Sequence, residues 1–250
     1  MTFFKAFRLS RSSFGDQILD VFLGHPYALA RTGLRHEYQS FNPSSQTGKL
    51  LDVGCGSMPY RPLFTNISDY EGIEIDQPRN RDNQLVAYYY DGSTFPLSDE
   101  QYDVVFCSQV LEHSFDPRLL LSEISRVLKH NGTLFLSIPF IWPEHEQPYD
   151  SQRLTSFGLD HLLKLNGFNN IVIRKVNPGL ACLSQLLIEY LESIKRLHVH
   201  PRLYRLWDVL FFLPYALLNI CGYCYRAFVT SSNMTSGYDL YLDLVVTAVK

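Results

Sequence analysis

A chain of 250 residues with 22 basic and 25 acidic side chains carries a formal net charge of −3. Its apolar share of 46 % suits a soluble protein with one sizeable core, and without a basic excess there is no positive argument for nucleic-acid binding. The five cysteines form no disulfide framework and fit a reducing, cytoplasmic setting. Cys221 and Cys224 stand in an apolar run without a second ligand pair, so they read as small core residues and no metal site is expected.

In chain order, residues 1–46 are expected to form an N-terminal helical arm. Met1 to Gly15 sets Phe3, Phe4 and Phe7 among Lys5, Arg8 and Arg11, too polar for a signal peptide. It suits a membrane surface, a helix packed on the domain or a frayed terminus. Residues 16–46 read as one or two helices, broken by Asn42-Pro43-Ser44-Ser45.

Leu50, Leu51 and Val53 then form a buried-type strand that Gly54 and Gly56 close, with Asp52 near its carboxyl end, the end at which open α/β sheets bind ligands. Tyr70 to Asp76 is a second strand ending in acid, about 20 residues after the glycine turn, where a carboxylate can accept ribose hydroxyls. In a regular strand Glu74 and Asp76 share a face. Gln84 to Tyr90 is a third strand, closed by Asp91-Gly92, and Tyr102 to Ser108 a fourth. Leu119 to Leu128 has helical spacing with Lys129-His130-Asn131-Gly132 as its stop. Strands follow at Thr133–Ile138, Ile171–Ile173 and Tyr241–Val249, with a helix at Leu159–Leu165. The alternation indicates an α/β domain, 47–250, with a mainly parallel sheet.

Residues 177–237 break this rhythm and read as a helical insert. Val209 to Tyr225 is apolar on all faces around Pro214, and Lys195, Arg196, His198, His200, Arg202 and Arg205 precede it. All-round hydrophobicity means burial in protein or contact with lipid. A cap over a substrate cleft is preferred, an interfacial membrane anchor through 203–229 comes second, and a true span third, since the run is short of about 20 residues.

These motifs, in order, carry a resemblance. Leu51-Asp52-Val53-Gly54-Cys55-Gly56, Gly72-Ile73-Glu74-Ile75, Asp91-Gly92 with Phe95-Pro96-Leu97, Tyr102-Asp103-Val104-Val105, Val110-Leu111-Glu112-His113, Ser122 to Leu128, Asn131-Gly132 and Asn166-Gly167-Phe168 resemble the class I S-adenosylmethionine-dependent methyltransferases. The resemblance covers about Lys49 to Val176 and implies a Rossmann-like, seven-stranded sheet with an antiparallel last strand. It implies S-adenosylmethionine as methyl donor, with Gly54, Cys55 and Gly56 in the loop under its amino acid moiety and Asp52 near its ammonium. It further implies Glu74, with Asp76 as fallback, on the ribose, Asp91 and Gly92 beside the adenine, and Ser108 and Gln109 along the methionine. Met58 stands where many members have a third glycine.

The connection Pro139 to Thr155 is dense in titratable and aromatic groups, and similar loops occur in methyltransferases of glycan assembly, which implies a sugar-like acceptor. Trp142 and Tyr149 are candidates for stacking on a ring, and Arg153 for a phosphate or, preferentially, an internal pair with Asp150. His145 is the candidate base, with Glu144 or Glu146 orienting it; His113 is the second, with a packing role preferred. The reading is methyl transfer to a small-molecule or sugar-like acceptor, at oxygen. The alternatives are a lipid or quinone acceptor, and a catalytically silent membrane-associated domain of the same fold.

Overall fold

The computed structural model describes residues 21–78, 80–81, 83–231 and 240–250. Met1 to Gly15, and with it the aromatic arm, lies outside the described residues. The described chain divides into two compact units. The first comprises residues 37–174 and 244–250, and the second residues 21–36, 175–231 and 240–243.

The sheet has seven strands: β1 (Gly48–Val53), β2 (Ile67–Ile75), β3 (Val86–Tyr90), β4 (Tyr102–Ser108), β5 (Leu128–Pro139), β6 (Asn169–Val176) and β7 (Asp243–Val249). Their order is β3-β2-β1-β4-β5-β7-β6. The first five run parallel to their neighbours. At the far edge, Asn131 N–H donates to Lys250 O and Lys250 N–H to Gly132 O, so the end of β7 meets the start of β5 and β7 is antiparallel. Strands β1, β4 and β5 are buried on both faces, which explains their near-continuous apolar text. The α/β, Rossmann-like, mainly parallel sheet with an antiparallel last strand and a helical segment before it is therefore as expected.

Helix α1 spans Ala28–Ser40, α2 Pro117–Val127 and α3 Ser156–Leu165. Asp116 caps α2, accepting from Leu119 N–H, and Thr155 caps α3, accepting from Gly158 N–H. On α2, Glu123 accepts from Phe95 N–H at 2.7 Å while the Arg126 guanidinium donates to Leu97 O at 2.8 Å, tying down the Phe95-Pro96-Leu97 segment.

Two expectations change. Residues 129–132 are not a loop: Leu128 already pairs with Tyr102, and β5 runs on through Asn131, whose left-handed φ of 64° accommodates a register shift. β2 starts at Ile67, three residues earlier than its text suggests, after a 3₁₀ turn at Arg61–Leu63.

The second unit holds α4 (Leu180–His198) and α5 (Tyr204–Ser231), the latter continuous through Pro214. Beside apolar side chains such as Leu29, Ile188 and Val229, it buries polar ones and exposes leucines. Gln185, Glu189 and Glu192 on α4 and Asn219 and Arg226 on α5 are buried. They bond inside the unit: Gln185 donates to Pro26 O, Asn219 to His25 O, Arg226 to Asn177 Oδ1 and the Tyr215 hydroxyl to Glu192, while Asn219 Oδ1 and Glu189 Oε2 are buried with no hydrogen-bond partner among the described residues. Facing outward on α5 are Leu206, Leu210, Leu213 and Leu217, spaced three and four apart, continued by exposed Cys221, Cys224 and Phe228. The two cysteines are thus not core residues; they sit on the outer stripe, while Gly222 and Arg226 between and beside them face inward.

Candidate functional site

The carboxyl ends of β1 and β2 meet at the glycine turn. Gly54 and Gly56 adopt φ of 67° and 48°, which favours glycine at both. A Cβ on Gly54 would lie 2.3 Å from Val110 Cγ2, so the bare backbone here accommodates the segment after β4 as well as any ligand. Met58 holds a left-handed φ of 52° although it is not glycine, and its N–H donates to Cys55 O at 2.7 Å. The loop therefore keeps the turn that a third glycine would ease. Gly72 makes this possible, because a Cβ there would stand 2.6 Å from Met58 Cε and 2.4 Å from Cys55 Sγ. A surface cavity of about 500 Å³ beside this exit is lined by Met58, Arg61, Phe64, Tyr70 and Leu85, away from Glu74 and Asp91.

Glu74, at the end of β2, is buried and accepts from Gly56 N–H at 2.7 Å and Asn80 Nδ2 at 3.3 Å. Asn83 donates to Gly56 O at 2.6 Å, so the turn is held from both sides. Asp52 is buried below it and accepts from the Tyr70 hydroxyl at 2.7 Å. Burial pushes its carboxyl up to about 8, with the Tyr70 bond opposing and Glu74 adding to the rise. Asp76 does not join Glu74. It lies just past the strand end, exposed, paired with Arg81 at 2.7 Å, which holds its carboxyl below the ordinary range. Asp91 is exposed at the end of β3 and accepts from Ser93 N–H at 2.8 Å; Gly92 follows at φ 95°.

Ser108 and Gln109 close β4. Ser108 accepts from the Tyr38 hydroxyl at 2.8 Å, and Gln109, at φ 57°, donates through Nε2 to Ser137 Oγ at 2.9 Å. Tyr38, Tyr70, Asn80, Asn83 and Ser137 all buttress this edge. None carried a sequence signal, because each acts from a position that only the strand register brings into reach.

The segments after β4 and β5 form one hydrogen-bonded assembly. Ser151 N–H donates to Glu112 O at 2.9 Å and Gln152 Nε2 to Leu111 O at 3.0 Å and Ser114 O at 2.7 Å. This brings the two candidate histidines together, with the rings of His113 and His145 edge to face at 5.0 Å. Burial, with His145 alongside, pushes His113 down to about 4, leaving a neutral and weakly basic imidazole near pH 7. Asp150 orients His145: its Oδ2 lies 3.1 Å from His145 Nδ1 and accepts the His145 backbone N–H at 3.0 Å. Asp150 is in turn held by Arg153 Nη2 at 2.7 Å, the internal pair preferred from sequence. Burial alone would raise Asp150, but Arg153 and the His145 N–H outweigh it and hold the carboxyl below its ordinary value. Trp142 is half-buried, and Tyr149 is exposed with its ring 6.2 Å from Phe115.

Residues 51–136 match a family model described as a methyltransferase domain. Over these residues the chain is similar to the S-adenosylmethionine-dependent methyltransferases of class I. The match contains the glycine turn, Glu74, Asp91, Glu112 and His113. A crystal structure of an S-adenosylmethionine-dependent methyltransferase from Archaeoglobus fulgidus shares the fold at a TM-score of 0.51 and 17 % identity, over 95 % of this chain and 100 % of that one. A probable S-adenosylmethionine-dependent methyltransferase of Mycobacterium tuberculosis is 28 % identical over 145 residues, 50 % of this chain and 53 % of its own length. A ubiquinone biosynthesis O-methyltransferase of Haemophilus ducreyi is 28 % identical over 148 residues, 53 % of this chain and 60 % of its own. The chain thus spans about half the length of the curated relatives it matches.

The residues present fit the family's methyl donor by their chemistry. Carboxylates at the ends of β1 and β2 suit an ammonium and a pair of ribose hydroxyls, and the turn between them presents backbone without side chains.

Proposed function

We propose that this chain transfers a methyl group from S-adenosylmethionine to a small-molecule acceptor, at oxygen. The observation that carries the reading is the buried Glu74 bonded to the backbone of the glycine turn at 2.7 Å, which couples a ribose-type acceptor to the loop that would lie under the donor. When bound, S-adenosylmethionine supplies a methyl carbon already activated by its sulfonium. The work of the chain is then positioning. Glu74 would accept from the ribose, with Asn80 holding its second oxygen. Asp52 would face the ammonium, Asp91 and Gly92 would hold the adenine, and Ser108 and Gln109 the methionine.

On the acceptor side, His145 is the stronger candidate to take a hydroxyl proton, because Asp150 fixes its ring and burial leaves His113 a weak base. A positioned base is worth roughly 10²–10⁴-fold for a hydroxyl acceptor. Trp142 and Tyr149 offer faces for a ring, sugar-like or aromatic. The test is incubation with methyl-labelled donor and a panel of hydroxylated acceptors, read by mass spectrometry. A labelled product, reduced in His145→Gln, is expected. A folded chain that binds no donor would instead support the catalytically silent alternative.

A second reading is favoured by the outer stripe of α5. Leucines that face outward over buried Asn219 and Arg226, near exposed Arg196, Arg202 and Arg205, suit peripheral contact with an anionic bilayer through 203–229. The acceptor would then be membrane-dissolved, a lipid or quinone, in keeping with the quinone-pathway name of one relative. Flotation with anionic vesicles tests it. Loss of flotation in Leu206→Gln/Leu210→Gln/Leu213→Gln is expected; no flotation of the unaltered chain removes the reading.

A further inference from the structure

Glu112, His113 and His145 each offer one donor atom, and these atoms all lie within 4.8 Å of one another. Two come from the turn after β4 and one from the loop after β5. The Ser151 and Gln152 bonds described above fix the two segments to each other. Glu112 is fully enclosed and its Oε1 lies 3.7 Å from His113 Nε2, while the His145 side chain is 12 % exposed. Two imidazoles and a carboxylate in a largely dry setting are a donor set that suits zinc and its transition-metal neighbours.

The surroundings of His145 point the same way. Metal-bound histidines usually give their other ring N–H to a carboxylate or carbonyl, which fixes tautomer and orientation. Here Asp150 Oδ2 and Pro143 O lie 3.1 and 3.2 Å from Nδ1, and Arg153 anchors Asp150. With Nδ1–H so engaged, Nε2 presents its lone pair away from Asp150. Tetrahedral bonds of about 2.0 Å place donors about 3.3 Å apart, so closure on an ion needs only small side-chain rotations. Three protein donors leave a fourth position for water or an acceptor oxygen.

We propose that Glu112, His113 and His145 bind one zinc-class divalent cation at the acceptor-side loops, with Asp150 as the positioning residue for His145. Resting on the methyltransferase reading, such an ion takes over from His145 the task of making an acceptor hydroxyl acidic.

The experiment is titration of chelator-stripped protein with Co²⁺, followed by visible absorption, and with Zn²⁺, followed by calorimetry. It is run in a Cys221→Ser/Cys224→Ser background, which removes the exposed thiols as competing ligands. One equivalent per chain with a tetrahedral-type Co²⁺ band is expected, weakened at least 100-fold in His145→Asn and about 10–100-fold in Asp150→Asn. Both changes lie in a loop, and thermal melts with a donor titration on the same samples report whether the fold persists. Absence of stoichiometric binding, or equal binding in His145→Asn, overturns the proposal. A chain that binds S-adenosylmethionine and no metal sinks this inference alone; one that binds metal and no donor sinks the methyltransferase reading alone.

Discussion

The two units of this chain differ in where their longest apolar runs point. In the sheet unit Leu50, Leu51 and Val53 are buried and the charged groups sit at strand ends, where a ligand can meet them. In the second unit the leucines of α5 face outward while Gln185, Glu192, Asn219 and Arg226 are enclosed and bonded to Pro26 O, the Tyr215 hydroxyl, His25 O and Asn177 Oδ1. Burial of polar groups is tolerated when their hydrogen bonds are made, and most of these are, although Asn219 Oδ1 and Glu189 Oε2 are buried with no hydrogen-bond partner among the described residues. The difference teaches that an apolar run marks buried strands in one unit, whereas in the other its leucines line an outer face of α5 and the core is made by Leu29, Ile188, Tyr215 and Val229 together with polar groups.

The sharpest break of that comparison is a pair of identical substitutions. Leu51→Ala should destabilise the chain by about 2–5 kcal/mol, as expected for a filled core position, whereas Leu210→Ala should stay within about 0.5 kcal/mol. Denaturant melts of the two variants in detergent-free buffer provide the check. Equal losses would mean that the α5 stripe is a core face after all.

Next in size is the acid under the glycine turn. The folded-state value of about 8 for Asp52 lies above the value of about 3.9 for an unfolded aspartate, so the folded chain holds an extra proton between them. Stability of the ligand-free protein therefore falls as pH rises through that window and levels off above it. Donor binding, which needs the ionised carboxylate beside an ammonium, should strengthen by up to about 10-fold per pH unit between pH 6 and 8. Calorimetry across pH should show that slope in the native chain and a flat profile in Asp52→Asn.

A third substitution probes the enclosed polar groups. Arg226→Leu removes bonds to Asn177 Oδ1 and the Thr32 hydroxyl, at 2.9 and 3.2 Å, and should destabilise by about 1–3 kcal/mol although it adds an apolar side chain. A stabilised variant would show that the polar part of this interior is not held by its hydrogen bonds.

The sequence made the sheet legible because strand length, glycine turns and acidic strand ends are local signals. Glu74 was readable for the same reason: it ends a strand about one βα unit after the turn. What escaped depended on register or on facing. The start of β5 looked like a helix stop, since Asn131-Gly132 is turn text, yet pairing with β4 and with Lys250 draws it into the sheet. Asp150 was named only as a partner of Arg153, because the turn that folds it back under His145 has no sequence mark. The text around Cys221 and Cys224 implies a core, because an apolar run does not reveal which of its faces is out. The cluster of Glu112, His113 and His145 was hidden by the 31 residues between its last two members, which only the adjacent ends of β4 and β5 bring together.

The measurement that tests the central claim most directly is isothermal titration of the native chain with S-adenosylmethionine, beside Glu74→Gln. Binding of one donor per chain, weakened about 10–100-fold in the variant by loss of a charged acceptor to the ribose, is predicted. A folded chain that releases no heat and retains no labelled donor, or a variant that binds as tightly as the native chain, would contradict it.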